Sequence, residues 1–151
     1  MANAEQFYVD PSALLKLYLH EPASRAMAAW RMKQRGSLLI TRHGRLEIVN
    51  ALGLALHRSL ISPAAHEAAL HAFDDDTALG RNKTADIAWR AVLSTAGKIS
   101  RLHTSTIGCR TLDVIHVASA LELDLKRFVS FDHRQQQLAR AIGLRVVIPG
   151  L

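Results

Sequence analysis

Cysteine is almost missing from this sequence. Cys109 stands alone, so neither an internal disulfide nor a cysteine-rich zinc site can form, and the composition suits a reducing cytosol. With no partner residue in view, Cys109 reads as a small packing side chain rather than a nucleophile. Long apolar runs are missing as well, and none approaches the roughly 20 residues that a bilayer crossing needs. Residues 1–6, Met1-Ala2-Asn3-Ala4-Glu5-Gln6, lack the basic-then-apolar pattern of a secretory signal. The expectation is a soluble, cytoplasmic protein with no membrane attachment. No internal repeat, linker or low-complexity tract interrupts the chain, which leaves a single domain over residues 1–151. Acids are in short supply, 13 against 19 Lys and Arg, for a formal net charge of +6. That surplus attracts polyanions and makes their binding salt-sensitive. Plain solubility accounts for a charge of this size equally well. What the chain has in quantity is apolar side chains, 49% of its residues, enough for a sizeable core.

Those side chains alternate between strand-like and helix-like patterns. Phe7-Tyr8-Val9 favours a strand, and Asp10-Pro11-Ser12 ends it and opens a helix over 12–20. Glu21-Pro22 restarts a helix that runs over 23–35 and closes at Gly36. Leu38-Leu39-Ile40 reads as a short buried strand, followed by a helix over 43–58 with Leu46, Val49, Leu52 and Leu56 at helical spacing. Ser62-Pro63 caps a helix that runs to about Phe73, and Asp74-Asp75-Asp76 then reads as a solvated turn, because consecutive carboxylates cannot all face one ion. A helix over 85–101 follows, with Ile87, Ala91, Leu93 and Ile99 as its apolar positions. A mostly buried helix over 111–121, a strand over 128–131 ending at Asp132, a helix over 133–141 stopped by Gly143, and a last strand over 145–148 complete the chain. Such alternation implies an α/β domain around a parallel sheet. Arg81, Lys83, Arg90, Lys98, Arg101 and Arg110 face one acid, Asp86, between 81 and 110. They form a phosphate-binding track if they share a face, and a solvated helix face plus a basic loop if they do not.

Four carboxylates occupy special places in this scheme. Asp10 and Asp132 each end a strand, while Glu47 and Asp113 lie near the starts of helices. In a parallel sheet the C-terminal strand ends share one edge, and the following helices begin on it, so four acids can converge. The local alternative for Asp10 is a helix cap before proline. Carboxylates packed together repel unless a cation lies between them, and oxygen ligands without thiolates point to Mg²⁺ or Mn²⁺. Such an ion can polarise a phosphate oxygen and activate water, which phosphodiester hydrolysis requires.

The residues around these acids resemble the motifs of the PIN domain family, in particular its VapC-type ribonuclease toxins. Tyr8-Val9-Asp10-Pro11-Ser12-Ala13-Leu14 is similar to the opening motif, Leu46-Glu47-Ile48-Val49-Asn50-Ala51-Leu52 to the second, Arg110-Thr111-Leu112-Asp113-Val114-Ile115-His116-Val117-Ala118 to the third, and Val129-Ser130-Phe131-Asp132 to the fourth. The resemblance implies a three-layer α/β/α fold with a central parallel sheet, and Asp10, Glu47, Asp113 and Asp132 as metal-binding, catalytic acids. It also implies Mg²⁺-dependent cleavage of an RNA substrate, a VapB-type antitoxin partner and a homodimer. Ser130 matches a Thr or Ser position beside the metal in that family, and Ser12 is placed to hydrogen-bond a carboxylate from below. Asn50 shares the helix face of Glu47, in support of the site or in helix packing. His116, three residues after Asp113, either touches that acid or the RNA or is a structural core histidine. Thr41-Arg42-His43-Gly44-Arg45 departs from the pattern, with glycine just ahead of Glu47 where a better helix former is expected.

Other acid-bearing α/β architectures fit less well. A phosphate-accepting receiver domain needs an early acidic pair, which does not precede Asp10, and haloacid-dehalogenase-type phosphatases need a second Asp where Ser12 stands. A catalytically inactive PIN-like module that binds RNA or a partner is the remaining alternative, and it gains nothing from mutually repelling carboxylates.

Overall fold

The computed structural model describes residues 6–151. Five short strands, β1 (Phe7–Val9), β2 (Leu38–Thr41), β3 (Asn82–Ala85), β4 (Arg127–Val129) and β5 (Arg145–Val147), form one sheet in the order β3-β2-β1-β4-β5. Every pairing is parallel, with Tyr8 opposite both Leu39 and Phe128. Among the described residues seven helices connect them: α1 (Pro11–Leu15), α2 (Ser24–Lys33), α3 (Arg42–His57), α4 (Pro63–Ala78), α5 (Trp89–Ile107), α6 (Thr111–Glu122) and α7 (His133–Ala141).

Side chains alternate across each strand, and both faces of the sheet are apolar, as parallel sheets require. Phe7, Val9, Leu38, Ile40 and Val129 point to one face, where Leu14, Met27, Ile48, Leu52 and Phe73 of α1 to α4 cover them. Tyr8 and Phe128 point to the other, under Val92, Ala96 and Ile99 of α5, Val117 and Ala120 of α6, and Leu138 of α7. The expected three-layer α/β/α architecture is therefore what forms.

Several boundaries differ from the sequence expectation, for physical reasons. The helix expected over 12–20 is only the short α1, and α2 starts at Ser24 because Ala23 takes a left-handed conformation, φ 71°. The strand β3 went unread: Asn82-Lys83-Thr84-Ala85 has no apolar run, and an edge strand needs none. The following helix accordingly begins at Trp89, not at residue 85, and extends to Ile107. Asp74, Asp75 and Asp76 are not a turn but the last part of α4. Asp76 is held there, accepting from Tyr18 Oη at 2.7 Å and from Arg81 Nη1 at 2.9 Å. The stripe assigned to α3 is also shifted. Leu46 and Val49 are 68% and 43% exposed, and Gly44, Ile48, Leu52 and Ala55 form the buried face. Finally, the basic residues between 81 and 110 make no single track, since Arg81 precedes the edge strand β3, whereas Arg110 precedes α6, which leads into β4 beside the central strand.

Gly44 turns out to be a packing device. Thr41 caps α3 by accepting from Gly44 N at 3.0 Å, and a Cβ on Gly44 would stand 3.0 Å from Thr41 Oγ1 and 3.2 Å from Pro11 Cγ. The missing side chain lets the first turn of α3 rest against the start of α1. That close approach brings the second turn of α3, with Glu47, beside Asp10.

Candidate active site

Strand order reverses between β1 and β4: the chain builds outward from β1 through β2 and β3, then crosses to β4 and β5 on the other side. The crevice beyond the C-terminal ends at such a switch point is where open α/β sheets bind ligands. Asp10 follows β1 immediately and Ser130 follows β4, so both lie at that point. Asp10 continues the ladder through its amide, which donates to Val129 O at 2.9 Å, and its carboxylate caps α1. The capping reading and the site reading of Asp10 thus hold together.

Asp10 is only 6% exposed. Its Oδ2 accepts from Ser12 Oγ at 2.8 Å and from Ser130 Oγ at 2.9 Å. Burial pushes the pKa of Asp10 up from the usual carboxylate range, against the opposing pull of His116 and the two hydroxyls. Ser130 Oγ also accepts from Asp132 N at 3.1 Å, tying both acids to one hydroxyl, although β4 ends at Val129 and Asp132 lies three residues beyond it rather than at the end of a strand over 128–131. Asp132 caps α7 by accepting from Gln135 N at 3.0 Å. Asp113, in the first turn of α6, accepts at Oδ2 from Arg110 N at 3.1 Å. Three of the four acids thus face the positive ends of helices, which offsets part of their mutual repulsion.

Glu47 is held differently. Its Oε2 is hydrogen-bonded to His116 Nε2, and His116 Nδ1 lies 2.6 Å from Tyr8 Oη. His116 is almost fully buried, with the ring of His43 stacked on it at 4.8 Å. Burial pushes the pKa of His43 down to about 4, aided by the neighbouring His116, so this ring stays neutral at pH 7. Phe128 stacks on Tyr8 with centroids 5.3 Å apart. A chain of contacts therefore runs from the core of the sheet through Tyr8 and His116 to Glu47. Of the roles the sequence left open for His116, the buried, structural one holds, and its carboxylate partner is Glu47 rather than Asp113. Tyr8 and His43 were not singled out for the site; the signal for Tyr8 was a phenol in a strand otherwise made of apolar residues.

Asp10, Glu47, Asp113 and Asp132 line one cavity of about 320 Å³, together with Ser12, Asn50, Arg110 and His116. Ser130 lies behind Asp10, fully buried. Pro11, Leu15, Ile48, Ala51, Leu54 and Leu112 supply an apolar wall. Among the described residues, no three acid or histidine side chains are drawn around one point close enough to cage an ion. The carboxylates instead spread around the cavity on their local partners. An all-oxygen set of this kind suits a hard cation that keeps several waters and takes one or two carboxylates directly. Asp10 gains most from such a cation, because its charge is buried with neutral hydroxyls as its closest partners.

A model of the PIN domain family matches residues 7–141. The chain belongs to the PIN domain family. Ribonuclease VapC46 of Mycobacterium tuberculosis is 32% identical to it over 147 residues, 94% of this chain and 96% of that protein. Ribonuclease VapC47 of the same species is 26% identical over 148 residues, 95% and 96% of the two chains. Similarity to both relatives thus spans nearly the whole of this PIN domain. Among its described residues no helix is long and apolar enough to cross a membrane.

Burial of Asp10 carries a testable cost. A carboxyl whose folded-state pKa is raised binds its proton more tightly in the folded than in the unfolded chain. Stability is then highest below the unfolded pKa and declines as pH rises through the folded one. In EDTA, Asp10→Asn should remove that decline and raise stability at pH 7 by about 1 kcal/mol, or about 3 °C in Tm. Thermal melts of both proteins between pH 4 and 8 check it: curves that run parallel would show that Asp10 carries no buried-charge penalty.

Proposed function

We propose that this PIN domain is a divalent-metal-dependent endoribonuclease, the toxin of a VapBC-type module, which hydrolyses phosphodiester bonds in RNA. One observation carries the reading: Asp10, Glu47, Asp113 and Asp132, far apart in sequence, line a single cavity at the switch point of the sheet. The ribonuclease names of two relatives that align over almost the full length support the substrate class. The four acids would hold the ion, and Ser12, Ser130 and the His116–Tyr8 pair keep Asp10 and Glu47 oriented for it. Mg²⁺ or Mn²⁺, when bound, supplies Lewis acidity toward the phosphate and an activated water. The protein's own contribution is to fix these oxygen donors before RNA arrives, and to offer the Leu15, Ala51, Leu54 and Leu112 wall to the nucleotide. Asn50, on the cavity side of α3, is placed to hydrogen-bond that nucleotide or a water beside it. Further parts of the proposal are a VapB-type antitoxin that blocks the cavity, a homodimer and a cytoplasmic location.

The purified protein should cut single-stranded RNA with Mg²⁺ or Mn²⁺ and stop on addition of EDTA, as followed on a panel of end-labelled RNAs. Cleavage that persists in EDTA would reject the metal site. Absence of cleavage across the panel with either ion, accompanied by RNA binding, would favour the non-cutting module.

A further inference from the structure

We propose that Arg110 is a catalytic residue that leaves Asp113 and clamps the phosphate undergoing cleavage. The inference rests on the nuclease reading above and names a residue that reading leaves without a role. Among the described residues lining the cavity, Arg110 is the single Lys or Arg, set against four carboxylates. A phosphodiester entering there brings one more negative charge into an acidic space. His116 has no free nitrogen to meet it, since both are engaged, one by Glu47 and the other by Tyr8. The guanidinium of Arg110 is the protein's own positive group in reach, and its planar fork matches two non-bridging phosphate oxygens.

The local geometry leaves that fork uncommitted. Arg110 Nε stands 3.6 Å from Asp113 Oδ2, beyond hydrogen-bonding distance, and the Arg110 side chain is 70% exposed against 15% for Asp113. The hydrogen bond that Asp113 does accept comes from the backbone amide of Arg110, at 3.1 Å. Helix α6 therefore keeps this cap wherever the guanidinium goes. An exposed pair of this kind is weakly held and exchanges its partner easily. Asp113 is released toward a cation by the same movement that carries Arg110 to the phosphate.

In the hydrolysis itself, a water oxygen bonds to phosphorus and one ester P–O bond breaks, its electron pair going to the departing oxygen. One water proton is lost to solvent and the departing oxygen takes one up, so that a diester and water give a phosphomonoester and a hydroxyl. Negative charge grows on the oxygens around phosphorus as the step proceeds. A guanidinium already in place stabilises it without reorganisation.

The test uses the full chain with Arg110→Ala and Arg110→Lys, RNA cleavage under single-turnover conditions in Mg²⁺, Mn²⁺ binding by calorimetry, and thermal melts. Arg110→Ala should slow cleavage by about 10²-fold or more. Arg110→Lys should recover about tenfold of that, as a point charge without the fork. Mn²⁺ should bind Arg110→Ala at least as tightly as wild type, since a cation beside Asp113 is gone, and the melting temperature should stay within about 1 °C because the backbone cap remains. A loss of less than about tenfold in Arg110→Ala overturns the clamp. So does a loss accompanied by weaker Mn²⁺ binding, which would make Arg110 a support for Asp113 alone. A wild-type protein that cuts no RNA overturns the nuclease reading and the clamp together, a result distinct from wild-type cleavage that Arg110→Ala retains.

Discussion

Asp113→Asn should cut RNA about 10³-fold more slowly than wild type in Mg²⁺, with its fold intact. The substitution removes one negative charge from the cavity and one hard oxygen donor, while the amide oxygen of Asn can still accept from Arg110 N, the bond that Asp113 makes at 3.1 Å. Loss of the anion at the N-terminus of α6 costs about 0.5 kcal/mol in stability, too little to unfold the domain. Activity and stability should therefore separate, with cleavage lost and the melting transition shifted by only about 1–2 °C. Asp113 suits this experiment better than Asp10, whose burial makes any substitution change stability as well. Cleavage within threefold of wild type would show that the acid at position 113 takes no part in the reaction.

The largest effect on stability should come from Phe128→Ala, at about 3–5 kcal/mol. Phe128 lies on β4, next to the central strand, is fully buried and stacks on Tyr8. Truncation leaves a cavity between the sheet and the α5 to α7 layer, where Val117 and Leu138 have no route to fill it without moving their helices. Set against the roughly 5–15 kcal/mol typical of domains, that loss is about a fifth of the total or more, and the melting temperature should fall by roughly 10 °C. Tyr8 also loses the surface that fixes its ring, and with it the support for His116 and Glu47. Residual cleavage measured well below the new melting temperature should fall too, whereas Phe128→Leu should cost about 1 kcal/mol and keep most activity. A Phe128→Ala protein that melts within 3 °C of wild type would mean that this packing is far looser than the contacts indicate.

Much of this domain was legible from local patterns. Val9-Asp10-Pro11 and Val129-Ser130-Phe131-Asp132 each pair a strand with an acid at its end, and parallel strands leave few places for those acids except one common edge. The acidic cavity follows from that rule. Strand β3 escaped because an edge strand needs no apolar signature, and on α3 Leu52 is buried as its spacing predicts, whereas Leu46 and Val49 have the right chemistry but lie on the wrong side of the cylinder. Gly44 read as a weak point in a helix, since propensity is a local quantity and says nothing of Pro11 lying 3.2 Å from where a Cβ would stand. Asp74-Asp75-Asp76 read as a turn because the bonds that hold Asp76 come from Tyr18, 58 residues away, and from Arg81 beyond the helix.

What the sequence determined alone is the alternation of strand and helix, the parallel sheet, and the four acids that can meet at its edge. Those follow from periodicities of two and 3.6 and from the direction of the chain, all of which are encoded within a few residues. Only the tertiary structure decided that His116 holds Glu47 and is itself held by Tyr8, that Asp10 is buried against two hydroxyls, and that Arg110 is, among the described residues lining the cavity, the single Lys or Arg. Each of these depends on distances between side chains on separate elements, and such distances are set when the layers pack, not by any stretch of chain read by itself.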